Sequence, residues 1–150
     1  MRVQEIMTVN PACVTPQDTV ERAAQLMEEN DCGLLPVVQG KGNSRVVGVI
    51  TDRDIAVRGV AQGKKPDTHV SELMTPAPFS CPPDARIDDV ERVMSDRQVR
   101  RVVIVDDDNC CVGIVAQADI ALAAERYADV DEKDVAHVVE RISEPTNQTT

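Results

Sequence analysis

Two short constellations in this chain carry groups able to do ligand chemistry. Thr51 and Asp54 stand three residues apart, where a Val- and Ile-rich run gives way to the next segment. A threonine followed three residues later by an acid is what a capping box needs, hydroxyl and carboxylate each satisfying a backbone N–H at a helix start. The same pair can instead meet a nucleoside. A carboxylate can accept two charge-assisted hydrogen bonds from the cis-diol of a ribose, while the hydroxyl bonds a phosphate or the sugar. Further along, Ala116 and Asp119 repeat the spacing without the hydroxyl. The capping pair is broken there, yet the acid stays, which favours the ligand reading.

Other chemistry finds little to stand on. The five cysteines (Cys13, Cys32, Cys81, Cys110 and Cys111) are odd in number and contain no C-x-x-C pair, so they suit neither a disulfide framework nor a zinc ribbon. Reduced, partly buried thiols are the plain expectation, with Cys110-Cys111 the pair expected to be exposed because it follows a turn. A thiol or metal sensor that adds His69 or His137 is the rival reading, but these ligands lack metal-ligand spacing. No metal site is assigned. Nothing resembles a nucleophile with an adjacent base, and there is neither a G-x-x-x-x-G-K-[ST] loop nor a Gly-rich Rossmann turn, so no enzyme is expected.

Charge narrows the partners. With 16 Lys and Arg against 26 Asp and Glu, the net charge of −10 repels a phosphate backbone, and only Phe79 and Tyr127 are available for base stacking. Nucleic acid is not expected. The opening residues hold no apolar run of signal-peptide length, and no window approaches the ~20 apolar residues of a membrane span, so a cytoplasmic protein with no membrane partner is expected.

The elements that must position Thr51, Asp54 and Asp119 emerge when the sequence is slid against itself. At a shift of 67, Ile6-Met7-Thr8 meets Leu73-Met74-Thr75, Pro11 meets Pro78, Pro16 meets Pro83, Val20 meets Ile87 and Met27 meets Met94. Leu35-Pro36-Val37-Val38 then lies on Val102-Val103-Ile104-Val105. After a loop two residues shorter in the second copy, Gly48-Val49-Ile50 lies on Gly113-Ile114-Val115. Two long copies imply a duplicated half-domain with a pseudo-twofold axis rather than a solenoid. In the first copy, Asp18 and Glu21 predict a capping-box start, and Val20, Ala23, Ala24 and Met27 share one helical face. Leu34 to Val38 and Arg45 to Thr51 read as a hairpin around residues 39–44, followed by a helix from about Asp52 to Gly63. Ile87, Val90 and Met94, then Val99 to Val105 and Cys110 to Ala116 around residues 106–109, then a helix from about Gln117, repeat the order. With extended pieces at Ala12 to Thr15 and Phe79 to Pro82, the fold class is α/β (α+β): two βαββα units, residues 1–66 and 67–128, with the boundary near Pro66. Past the second unit, Val135, Val138, Val139 and Ile142 share the face of a further helix over 129–145, before a disordered polar tail at 146–150. That helix is read either as packing back on its own domain or as an oligomer contact.

These features together resemble the paired cystathionine β-synthase domains, the Bateman module, over about residues 2 to 125. The resemblance rests on the two Met-Thr openings, Leu35-Pro36-Val37-Val38, Gly48-Val49-Ile50-Thr51-Asp52-Arg53-Asp54, and Gln98-Val99-Arg100-Arg101 ahead of the second hairpin. It implies units packed sheet to sheet with two clefts between them, commonly assembled into a disc-like homodimer, and adenine nucleotides (AMP, ADP, ATP or an NAD-type dinucleotide) as ligands rather than a required cofactor. The aspartate of Thr-x-x-Asp would hold the ribose, Leu35-Pro36-Val37 would line the adenine, Thr15 would add a hydroxyl, and basic side chains from the other unit, here Arg100 and Arg101, would reach the phosphates. An arginine fork suits phosphate in a protein this acidic.

Departures make the clefts unequal: Ala116 replaces the second threonine, Val103 stands opposite Pro36, Pro82 opposite Thr15, and Gly33-Leu34 opposite Arg100-Arg101. One good site is expected from Thr15, Leu35, Pro36, Val37, Thr51 and Asp54, with Arg101 and either Arg100 or Arg53 on phosphate. A weaker one is expected around Asp119. The leading reading is a regulatory sensor whose ligand changes the angle between units, signalling to an effector protein on another chain, since no attached domain is left over. A ligand-free dimerisation or adaptor module is the alternative.

Overall fold

The structure, a computed structural model, describes residues 1–76 and 78–126. The expected helix and tail beyond 128, with His137, and Tyr127 lie outside the described residues. Among the described residues no helix is long and apolar enough to cross a membrane.

The first unit carries helix α1 (Val20–Glu29), then strands β2 (Leu34–Gly40) and β3 (Asn43–Thr51), after the short strand β1 (Thr8–Val9). Helix α1 buries Val20, Ala23 and Met27 of the predicted face, whereas Ala24 is exposed. Its start differs from the expectation: Thr19, not Asp18, is the N-cap, its Oγ1 accepting from the Arg22 N–H at 3.1 Å. Asp18 is drawn away because its carboxylate accepts from the Thr15 N–H at 2.8 Å, closing the preceding turn. The hairpin is also tighter than read, since Gly40 pairs with Asn43 and only Lys41-Gly42 turns, Gly42 adopting φ +76°. After β3 the chain winds into a π-helical turn at Asp54–Gly59 and a 3-10 turn at Val60–Gln62. The second unit follows with α2 (Val70–Leu73), β4 (Thr75–Pro76), β5 (Ser80–Cys81), α3 (Ile87–Arg97), β6 (Arg101–Val105), β7 (Cys111–Ala116) and α4 (Gln117–Arg126).

The two openings do not stay with the repeats they precede. Strand β1 pairs with β7, Val9 opposite Gly113, while β4 pairs with β3, Pro76 opposite Gly48. Each Met-Thr opening therefore extends the other unit's sheet. The exchange is reciprocal in every detail. Val3 is buried in the core of the second unit with Met94, Ile104 and Ile120. Val70 and Leu73 are buried in that of the first, with Leu35, Val37 and Ile50. Glu5 accepts from the Arg2 N–H and Glu72 from the His69 N–H. Bridges join Arg2 to Arg86 and Thr19 to His69. Glycine is required where the openings cross: a Cβ at Gly48 would lie 2.7 Å from the Thr75 carbonyl oxygen, and one at Gly113 would lie 2.9 Å from that of Thr8.

The four-stranded sheet runs β1-β7-β6-β5, and the other runs β2-β3-β4, with Val14 bridged to Val37 at its far edge. A third apolar cluster, Val46, Val103 and Val105 with Val49 and Cys111 against it, joins β3 to β6 and β7. The hairpins meet where Arg45 bridges Cys110, equivalent positions in the two copies, so the pseudo-twofold axis passes through this contact.

Candidate functional site

Thr51 ends β3, and the turn after it fixes Asp54. The Thr51 N–H donates to Asp54 Oδ2 at 3.0 Å and the Asp54 N–H donates to Thr51 Oγ1 at 3.0 Å, so the reciprocal capping box is formed. Asp54 Oδ1 faces Arg58 Nε at 3.8 Å across one helical turn. With its side chain 14% exposed, Asp54 presents a half-sheltered carboxylate with acceptor capacity left over on Oδ1.

Asp119 corrects the sequence argument. Its Oδ2 accepts from the Ala116 N–H at 2.7 Å, so the acid keeps its capping duty without a threonine. Backbone capping by the carboxylate needs no hydroxyl at the preceding position, and the survival of Asp119 is thereby explained without a ligand. Asp119 also lines a cavity of about 210 Å³ with Glu5, Ile6, Leu122, Ala123 and Arg126. Its walls include Glu5, brought there by the opening exchange that the spacing did not reveal.

The remaining expected residues sort by direction. Thr15 is half-buried, its N–H held by Asp18. Pro36 is buried and its carbonyl accepts from the Val14 N–H at 3.1 Å. Leu35 and Val37, at 1% and 0% exposure, point their side chains into the first unit's core. They can therefore meet a ligand only through backbone, because alternation along β2 sends them to the opposite face from Pro36. Arg53 is exposed, and its N–H donates to Asp52 Oδ1 at 2.8 Å. Arg100 is exposed as well, its carbonyl accepting from the Gln117 N–H.

Arg101 makes the decisive crossing. It opens β6 in the second unit, yet a Cβ built on Gly33 of the first would lie 3.2 Å from Arg101 Nη2 and 2.8 Å from Asp52 Oδ2. Gly33 in turn accepts the Asp52 N–H through its carbonyl at 3.0 Å, and Leu34 pairs with Thr51. The guanidinium thus stands at the start of the segment that carries Asp54. Gly33 and Asp52 were missed by sequence reasoning. The signal was present, since Gly33-Leu34 aligns with Arg100-Arg101, and a side chain at position 33 would press on the ends of the Arg101 and Asp52 side chains. Under the pseudo-twofold, the Arg101 and Asp52 positions become Leu34 and Gln117, so this Arg–Asp corner has no counterpart in the second copy.

The thiols differ from expectation. Cys32 is the exposed one, whereas Cys110 and Cys111 are half-buried and Cys81 is buried, its thiol pushed up by desolvation and by the Asp89 charge. Among the described residues, no three His, Cys, Asp or Glu side chains gather as a metal site.

Comparison with known proteins gives this geometry its context. The CBS domain model matches residues 3–59 and 70–126. The CBS domain-containing protein YhcV of Bacillus subtilis is 41% identical over 120 residues, 80% of this chain and 83% of that one. Hypoxic response protein 1 of Mycobacterium tuberculosis is 37% identical over 128 residues, 85% and 87% of the two chains. Among solved structures, Hypoxic Response Protein I with two coordinated zinc ions superposes at a TM-score of 0.73 with 36% identity, covering 81% of this chain and 98% of that one. The Arabidopsis thaliana CBS-pair protein CBSX2 in complex with AMP matches at 0.73 with 26% identity, 85% of this chain and 98% of that one. The CBS domain pair of MJ0100 with 5-methylthioadenosine and S-adenosyl-L-methionine matches at 0.75 with 28% identity, 84% and 97%. The chain belongs to the CBS domain family and carries two copies of that domain.

Proposed function

We propose that this CBS pair is a regulatory module that binds an adenosine-containing nucleotide in the cleft holding Asp54 and Arg101, and passes the resulting change between its units to a partner protein. The observation that carries the reading is the Arg101 guanidinium, delivered from the second unit to the corner of Gly33 and Asp52 on the first. A ligand held there contacts both units at once. Its ribose meets Asp54, with Thr51 and the Thr15 hydroxyl beside it, its base lies along the backbone of Leu35-Pro36-Val37, and its phosphate meets Arg101, with Arg100 or Arg53 at the rim. AMP in one relative and adenosyl compounds in another support this ligand class. Regulation requires that the ligand bind one arrangement of the units better than another, because equal affinity shifts no equilibrium.

Thermal melts of the full chain with AMP, ADP, ATP and NADH separate this reading from a ligand-free adaptor. A nucleotide present at 100 times its Kd stabilises the folded state by about 2.7 kcal/mol. For a chain of this size that raises Tm by roughly 5–10 °C. A Tm unmoved by every nucleotide at millimolar concentration would select the adaptor.

A further inference from the structure

One pair of side chains outside the cleft links the two units. From β1, which lies against β7, the chain leaves the second unit's sheet: the Asn10 N–H donates to the Val112 carbonyl at 3.4 Å, and Val14 then joins the first unit at Val37. Cys13 sits in this crossing. Its Sγ donates back to the Pro11 carbonyl at 3.3 Å, toward the edge it has just left. Cys111 opens β7, packs against Val46, Val103 and Val105, and turns its Sγ toward the Gly113 carbonyl at 3.8 Å. Val9 pairs with Gly113 and the Asn10 N–H reaches the Val112 carbonyl, so the register brings Pro11, whose carbonyl holds the Cys13 thiol, beside Cys111: the two half-buried thiols, remote in sequence, face one another across this crossing.

We propose that Cys13 and Cys111 form a reversible disulfide that fastens the first unit to the second, making this crossing a redox modification site. Its reactivity follows from the contact. A hydrogen bond from Cys111 holds the Cys13 thiol below its ordinary range against the opposing effect of burial, so Cys13 is the thiolate of the pair. Cys111 is pushed up, chiefly by that same hydrogen bond, then by burial and by the Cys13 charge. A hydroperoxide is the oxidant. The Cys13 thiolate attacks one oxygen of hydrogen peroxide, its O–O bond breaks, and sulfenic acid and hydroxide result. That step removes the negative charge that had held the Cys111 proton. The Cys111 sulfur then attacks the Cys13 sulfur, the S–O bond breaks, and water leaves with the Cys111 proton, giving the disulfide. The pseudo-twofold mates of these positions are Ser80 and Val46, so the latch exists on one side of the axis only.

The test needs no nucleotide, so it stands or falls apart from the binding reading. The folded full chain is treated with hydrogen peroxide, alkylated and mapped by non-reducing peptide mass spectrometry, alongside Cys110→Ser and Cys111→Ser. The expected result is one major cross-linked species, Cys13 to Cys111, lighter by two hydrogen atoms, reversed by dithiothreitol, retained in Cys110→Ser and lost in Cys111→Ser. A bond from Cys13 to Cys110, or Cys13 carried to sulfinic acid while Cys111 stays a free thiol, would overturn it.

Discussion

On the proposed reading, Asp52 opposes the anion that Arg101 would hold. Its carboxylate and the Arg101 guanidinium both border Gly33, so a phosphate drawn to Arg101 would meet the Asp52 charge. Asparagine would keep an oxygen for the Arg53 N–H that Oδ1 now accepts. An exposed charge–charge interaction is worth about 0.2–1 kcal/mol, so relieving the repulsion between Asp52 and a bound phosphate by Asp52→Asn should tighten AMP binding by roughly 1.5- to 5-fold. Titration calorimetry checks this, and a weaker complex would mean that Asp52 assists the ligand. The same scale explains what could and could not be read from the sequence. Thr51 and Asp54 were legible as a cap because a capping box is a local interaction over three residues, and the structure forms it. The inference drawn from Asp119 failed because a carboxylate can cap through its own oxygen alone. The resemblance placed the Leu35-Pro36-Val37 segment along an adenine, and because the Leu35 and Val37 side chains fill the core, only its backbone can serve there.

At the scale of elements, helices and hairpins followed from periodicity, while the exchanged openings did not. A two-residue strand such as β1 or β4 carries no pattern of its own, and its partner is chosen by tertiary packing across a long loop. The trace left in the sequence is the recurrence of Glu-x-Met-Thr with Gly48 and Gly113, whose meaning appears only once the crossing is seen. This crossing makes a sharp prediction. A Cβ at Gly113 meets the Thr8 carbonyl and the Met7 Sδ, and backbone cannot give way easily. Gly113→Ala should cost about 1–3 kcal/mol, as overpacking typically does. By contrast, Gly40→Ala, where a Cβ meets nothing within 4 Å, should melt within about 1 °C of the parent. Paired thermal melts read the difference, and equal Tm values would show that the opening can shift without penalty.

Across the whole molecule, duplication supplies two clefts and the substitutions make them unequal. One carries Thr51 and Asp54, with Arg101 reaching the neighbouring Gly33–Asp52 corner; the equivalent positions in the other are Ala116, Asp119 and Leu34. A symmetric fold is thereby turned into a module with one such corner in a chain of net charge −10. The Asp119 cavity carries its own cation, Arg126, facing Glu5 across the wall, and has no arginine at the position equivalent to Arg101. The arginine that crosses between units is therefore the residue on which nucleotide binding should depend most. Arg101→Ala is the variant of choice, because Arg101 is exposed and caps no helix, whereas any change at Asp54 also breaks the capping box. A hydrogen bond to a charged group contributes about 1.5–3 kcal/mol, so its removal should weaken binding roughly 10- to 150-fold. Calorimetry of the full chain with AMP, parent beside Arg101→Ala, is the direct measurement. Saturable binding near one equivalent per chain, weakened by that factor in a variant of unchanged Tm, is the predicted result. Binding of equal strength in both proteins, or two equal sites per chain, would contradict it.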